Sequence, residues 1–342
     1  MCIRDRCIVS RAFYTDKLGH FLKLACELTG QDMALPMNTG AEAVETAVKA
    51  ARRWGYESKG IPDNQAEIIV CTGNFHGRTT TIISFSDEKE YQKHFGPLTP
   101  GFKVVEYGDA EALEKAITPN TAAFLVEPIQ GEGGIVIPPR GYLQRCHEIC
   151  RENNVLLLAD EILTGLGRTG RLLACDHEGV KPDGLILGKA LGGGIMPVSM
   201  FLGRQDVMDI FVPGTHGSTF GGNPLAAAVG MEALNIIVEE KLPERSMELG
   251  DYFLSELAKL NSPLISDLRG SGLFIGIEID PALGSAREVC ERLMDRGLLS
   301  KETHETVFRL APPLVVIRAE LDWAVAQSRE VLQEMDEVRL AS

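Results

Sequence analysis

The chain reads as an α/β protein, with a mostly parallel sheet covered by helices and a smaller α+β domain after it. Three observations carry this. Short apolar runs alternate with helical patterns through the first two thirds of the sequence. Runs such as Val155 to Ala159 are apolar at every position rather than every second one, as in strands buried on both faces. After Asn223-Pro224 the alternation stops, and a long helical stretch leads into paired strands around Gly270-Ser271-Gly272.

The elements follow in order. Val44, Ala47, Val48 and Ala51 recur at helical spacing and predict a helix over 42–57. Strands are expected at 67–71 and 102–107, then a helix over 110–117 and a strand over 122–126 that ends at Glu127-Pro128. A helix over 141–152 feeds a buried strand over 155–160, and strands at 185–187 and 198–202 continue the series. Beyond Pro224 a helical region reaches about Leu260, broken near Leu242-Pro243. Paired strands over 264–280, a helix over 286–296, a strand over 307–310 and a final helix over 321–338 complete the chain. The domain boundary is expected near 235, giving domains 1–235 and 236–342.

Bulk properties narrow the function. The 342 residues suffice for two domains with a sizeable core. A net charge of −14 argues against nucleic acid or an anionic membrane as the main partner. No run approaches the roughly 18 apolar residues of a membrane span. The start, Met1-Cys2-Ile3-Arg4-Asp5-Arg6-Cys7, has no apolar core of a secretory signal, so the cytoplasm is expected. Among the eight cysteines, Cys146 and Cys150 share a helix face, which reads as half-buried packing rather than a ligand pair. No metal site and no disulfide framework is expected.

Chemistry concentrates at two strand ends. Asp160 closes the run from Val155, and Lys189 follows Leu185 to Leu187 inside Gly188-Lys189-Ala190-Leu191-Gly192-Gly193-Gly194. Open parallel sheets bind ligands beyond the carboxyl ends of their strands, and Glu127 falls at such an end too. A lysine flanked by glycines is open to a flat, bulky group, and a carboxylate can keep a ring nitrogen protonated. Together they suit pyridoxal 5'-phosphate (PLP), which needs a Schiff-base lysine and an acid partner. A nucleotide P-loop is rejected: three residues separate Gly184 from Gly188, and Ala190 stands where Ser or Thr is required. Asn38-Thr39-Gly40-Ala41 opens an amphipathic helix, whose free N–H groups suit a phosphate or an ordinary cap.

Six blocks in order resemble the class III aminotransferases of fold type I, and within them the ornithine aminotransferases. They are Leu35-Pro36-Met37-Asn38-Thr39-Gly40-Ala41-Glu42, Gly73-Asn74-Phe75-His76-Gly77-Arg78-Thr79, Val126-Glu127-Pro128-Ile129-Gln130-Gly131-Glu132, Ala159-Asp160-Glu161-Ile162-Leu163-Thr164-Gly165, His216-Gly217-Ser218-Thr219-Phe220-Gly221-Gly222-Asn223-Pro224 and Arg309-Leu310-Ala311-Pro312-Pro313-Leu314. The resemblance runs from about Ser10 to the C-terminus. It implies a fold-type I PLP-dependent transferase in which Lys189 and Asp160 are catalytic. Gly40, Ala41 and Thr219 would bind the phosphate, and Phe75 would stack on the ring. Arg78 would take a substrate carboxylate, and Glu127 would act as a hydrogen-bond partner behind these groups. Glu132 and Arg309 would form a specificity pair. The arginine takes the α-carboxylate of glutamate or 2-oxoglutarate, and the glutamate neutralises it when a diamino acid is bound. In the family the threonine belongs to the other subunit, which implies a homodimer or a dimer of dimers.

Three departures stand against the pattern. Leu163 replaces a glutamine that contacts the cofactor's phenolic oxygen, and His76 replaces an aromatic residue, read as minor. The family's N-terminal segment, with the tyrosines that select ornithine, has no counterpart, so the chain reads as a fragment or the product of a wrong gene start. The expected activity is transfer of the δ-amino group of ornithine to 2-oxoglutarate, acting on small-molecule amino acids and 2-oxo acids. The alternatives are another class III ω-aminotransferase, such as one acting on acetylornithine, or an inactive truncated PLP-binding protein.

Overall fold

The structure is a computed structural model that describes residues 13–341. The segment Met1 to Cys7 and the start of the resemblance at Ser10 lie outside the described residues. Contacts divide the chain into two units. One takes the chain up to Pro128, then Pro138–Leu166 and Leu173–Ile237. The other takes Ile129–Ile137, Gly167–Leu172 and the chain from Val238 onward, so the partition is not a single cut in sequence.

Among the described residues the first unit is built on seven strands: β1 (Met33–Met37), β2 (Glu67–Cys71), β3 (Phe102–Val105), β4 (Thr121–Val126), β5 (Leu156–Asp160), β6 (Gly184–Leu187) and β7 (Ser199–Gly203). Their order is β1-β7-β6-β5-β4-β2-β3. Strands β2 to β6 run parallel, and β7 runs antiparallel to both β6 and β1. The central strands β4 and β5 are buried at every position, which explains their unbroken apolar character.

The helix Gly40–Glu57 crosses one face of this sheet. Thr39 and Glu42 form a capping box at its start. Its buried side is mostly small, with Ala43, Ala47, Ala50 and Ala51 fully covered, so its backbone lies close over Ile68, Leu125, Leu158 and Ile186. The sheet is equally tight below. A Cβ on Gly184 would stand 2.6 Å from Leu158 and 2.7 Å from Phe201, so only glycine fits there. Cys146 and Cys150 are both fully buried in their helix.

The second unit carries β8 (Ile265–Ser271), β9 (Phe274–Ile279), β10 (Lys301–Thr303) and β11 (Val307–Leu310), all antiparallel in the order β10-β11-β9-β8. Its core joins Ile275, Ile277 and Phe308 of the sheet to Phe253, Val289, Leu293 and Leu332 of the helices.

The elements additional to those expected from sequence include two strands and a long helix, besides short helices such as Thr80–Ile83, Lys89–Gln92 and Gln205–Met208. The helix Leu18–Thr29 precedes the sheet, β1 lies at its edge, and β10 has three residues. β1 contains Pro36, which an edge strand tolerates because one side needs no ladder bonds. β10 is too short for any periodicity to show. The strand expected over 102–107 ends at Val105. Among the described residues no helix is long and apolar enough to cross a membrane.

Candidate active site

Parallel pairing puts two strand ends side by side. Asp160, the last residue of β5, pairs with Ile186 of β6, and β6 then delivers Gly188 and Lys189. Asp160 is buried. Its Oδ2 lies 2.7 Å from His76 Nδ1, and its Oδ1 accepts the Ile162 N–H at 3.0 Å. His76 is buried as well, with no partner at its Nε2. Burial alone would lower its pKa. The hydrogen bond and charge of Asp160, with the charge of Glu127, outweigh burial and raise it. The protonated form of His76 is thus favoured more than burial alone would allow. His76, read from sequence as a minor replacement, is the residue that holds Asp160.

Ile162 links this turn to two other site elements. A Cβ on Gly40 would stand 2.8 Å from Ile162 Cδ1, and one on Gly188 would stand 3.3 Å from Ile162 Cγ2. The two glycines leave room for the isoleucine, and the helix start, the Asp160 turn and the lysine loop meet there. Gly77, at φ 128°, similarly lets the Phe75 loop close on Ala41, with 3.0 Å between the Cβ it lacks and the alanine's. Lys189 is exposed and opens a 3₁₀ turn with φ at 42°, a backbone region uncommon for a non-glycine residue.

Hydrogen bonds orient the flanking groups. Glu127 Oε2 accepts the Phe75 N–H at 3.0 Å, which fixes the backbone under that ring. Tyr107 donates its hydroxyl to the Glu127 carbonyl at 3.1 Å. Glu161 is fully buried and acts as a tie. It accepts from Thr164 Oγ1, Ala174 N and Cys175 N, while burial raises its pKa. The Arg78 guanidinium lies 5.6 Å from the Phe75 ring centre and 4.8 Å from that of Tyr91, beside a cavity of about 680 Å³.

Thr219 lies in a loop held against its own chain's helix Gly40–Glu57. His216 contacts Thr46 at 2.8 Å and Lys49 at 2.9 Å, and Asn38 donates to Ser218 at 2.9 Å. Thr219, Asn38 and Glu42 line a cavity of about 470 Å³. Leu163 is half-buried.

In the second unit, Glu132 and Arg309 pair directly. Arg309 NH1 donates to Glu132 Oε1 at 2.9 Å, and Lys301 Nζ donates to Oε2 at 2.7 Å. Burial pushes the Glu132 carboxyl up, but the two cations outweigh it and bring its pKa down to about 2. Lys301 carried no signal in sequence. It enters because β10 and β11 pair it directly with Arg309. Nearby, burial and then the charge of Arg309 lower Arg168 to about 10.

The residues present suit PLP. A buried carboxylate held by a base ends the strand next to the one that leads into the lysine loop, and glycines at 40 and 188 clear the space around Ile162. Asp160 would hold the ring nitrogen, Lys189 the aldehyde carbon, Phe75 a ring face, and the N–H groups of Gly40 and Ala41 the phosphate. Among the described residues no cluster could hold a metal ion.

Known proteins resemble this chain over most of its length. The family model for class-III aminotransferases matches residues 3–332. The ornithine aminotransferase of Bacillus subtilis (strain 168) is 60% identical over 326 residues, which cover 95% of this chain and 80% of that protein. A solved structure of the ornithine aminotransferase from Toxoplasma gondii, with partial occupancy of PLP at its active site, superposes with a TM-score of 0.95 at 48% identity; the match covers 97% of this chain and 80% of that one. The acetylornithine aminotransferase from Elizabethkingia anophelis superposes with a TM-score of 0.85 at 47% identity over 96% of this chain and 81% of that one.

Proposed function

The chain belongs to the class-III aminotransferases, and on that premise we propose that it moves the δ-amino group of ornithine to 2-oxoglutarate, giving glutamate 5-semialdehyde and glutamate. The observation that carries the site is a buried, base-held carboxylate beside a glycine-flanked lysine, at the ends of two adjacent parallel strands.

PLP, when bound, supplies a ring that draws electron density from a bond at the substrate carbon. Asp160 would keep the proton at the ring nitrogen, and His76 would keep Asp160 in place. Lys189 would hold the cofactor and would be the amine that moves a proton at the substrate carbon. Gly40 and Ala41 would hold the phosphate, and Thr219 of the partner subunit would add a hydroxyl to it. Arg78 receives a carboxylate, for which a guanidinium fork is suited.

Glu132 and Arg309 favour ornithine over acetylornithine as donor. Paired, they present little net charge to a diamino acid; parted, they leave Arg309 for the carboxylate of glutamate or 2-oxoglutarate. The same reading has the chain working in the cytoplasm as a homodimer or a dimer of dimers.

The test is covalent. Borohydride reduction followed by peptide mapping should place a pyridoxyl group on Lys189, and Lys189→Ala should abolish both label and turnover. A label on another lysine removes the assignment. In a donor panel, ornithine should exceed acetylornithine in kcat/KM.

A further inference from the structure

Glu132 holds two cations at once, one on each oxygen. The β10–β11 hairpin sets those cations side by side, since Lys301 and Arg309 are direct cross-strand partners. Like charges in that position repel, so the arrangement is favourable only with an anion between them. Arg168 adds positive charge next to Arg309, and its own NH1 is committed to the carbonyls of Leu273 and Pro312 at 2.9 and 2.6 Å. The Glu132 backbone is tied separately, because Thr303 donates its hydroxyl to the Glu132 carbonyl. The side chain can therefore leave while its backbone stays anchored to β10.

A carboxylate bridging two cations marks where another carboxylate fits. We propose that Lys301 is the second cation of the receptor for the dicarboxylate substrate: when the Glu132 side chain withdraws, the incoming carboxylate is held by Arg309 and Lys301 together, one oxygen each. The proposal rests on the reading that Arg309 receives a substrate carboxylate. It makes Lys301 a specificity-determining residue rather than a tether for Glu132. Arginine supplies the fixed fork, and lysine a mobile point charge on a flexible stem.

The two roles separate once Glu132 is gone. In a Glu132→Ala background a tether has nothing to hold, whereas a receptor cation still meets substrate. The holoenzyme carrying Glu132→Ala is compared with Glu132→Ala/Lys301→Gln. Adding Lys301→Gln should raise KM for glutamate about fivefold, the scale of a partly exposed charge pair, with kcat moving much less. Calorimetric binding of glutarate, an unreactive dicarboxylate, should weaken by the same factor, and Lys301→Arg should restore both. Should the Ala variants not fold, Glu132→Met, which fills the space without an acceptor, gives the same comparison.

Unchanged glutamate KM and glutarate affinity would overturn the proposal. Glu132→Ala alone tests the reading beneath it. If it shifts the glutamate-to-ornithine ratio of kcat/KM while Lys301→Gln does nothing, the exchange stands and the receptor role falls. If it leaves the ratio unaltered while Lys301→Gln still raises glutamate KM, the exchange falls and the two-cation receptor stands.

Discussion

Asp160 and Glu132 are both carboxylates clasped by bases, one in each unit, and their surroundings differ in two respects. The Asp160 side chain is 4% exposed, against a His76 that is fully covered, while Glu132 is 22% exposed between an arginine and a half-exposed lysine. Asp160 also takes a backbone N–H from its own turn, so both of its oxygens are committed inside the protein. A buried pair that loses one member leaves an uncompensated charge without water, so it stays put. A pair at the edge of solvent separates at small cost, because water takes over. The first arrangement suits a group that must not move during turnover, and the second suits one that must.

The largest expected effect breaks the first pair. Asp160→Ala strands His76 in the interior and should cost about 3 kcal/mol in denaturant unfolding. Turnover should fall by roughly a hundredfold or more. If Asp160→Ala cost no more stability than Glu132→Ala, the distinction between fixed and mobile pairs would be lost. Glu132→Ala should cost less than about 1 kcal/mol. Its effect belongs in selectivity, with the glutamate-to-ornithine ratio of kcat/KM rising by about tenfold.

The smallest effect sharpens the comparison through pH. The His76 pKa is raised above its ordinary 6.5, so its pairing stabilises the fold fully below that value. That stability is lost as pH rises through the folded-state value. The Glu132 pKa is lowered from 4.5 to about 2, so its contribution is present above 4.5 and lost as pH falls through about 2. Urea midpoints of His76→Asn should approach those of the unaltered chain on the alkaline side. Midpoints of Glu132→Gln should approach them only on the acid side. Differences that stay flat across both windows would contradict the two assignments.

Much of this was legible in sequence because it is local. Val155 to Asp160 announces a buried strand with a carboxylate at its end, and the glycines around Lys189 announce an open loop. His76 and Lys301 were not legible in those terms. The His76–Asp160 contact spans 84 positions and depends on β2 and β5 both flanking β4. Lys301 matters only through the register of a three-residue strand, which has no sequence pattern of its own. The blocks that carry the resemblance supplied Glu132 and Arg309, and tertiary pairing added the third charge.

The wedge of Ile162 between Gly40 and Gly188 has a genetic consequence. The helix start and the lysine loop abut one side chain from different directions, so alleles at these three positions should show epistasis. A methyl group at residue 40 collides with the isoleucine, and shortening the isoleucine removes the obstacle. A suppressor screen begun from Gly40→Ala should therefore return Ile162→Val or Ile162→Ala, at a codon distant in the gene and adjacent in space.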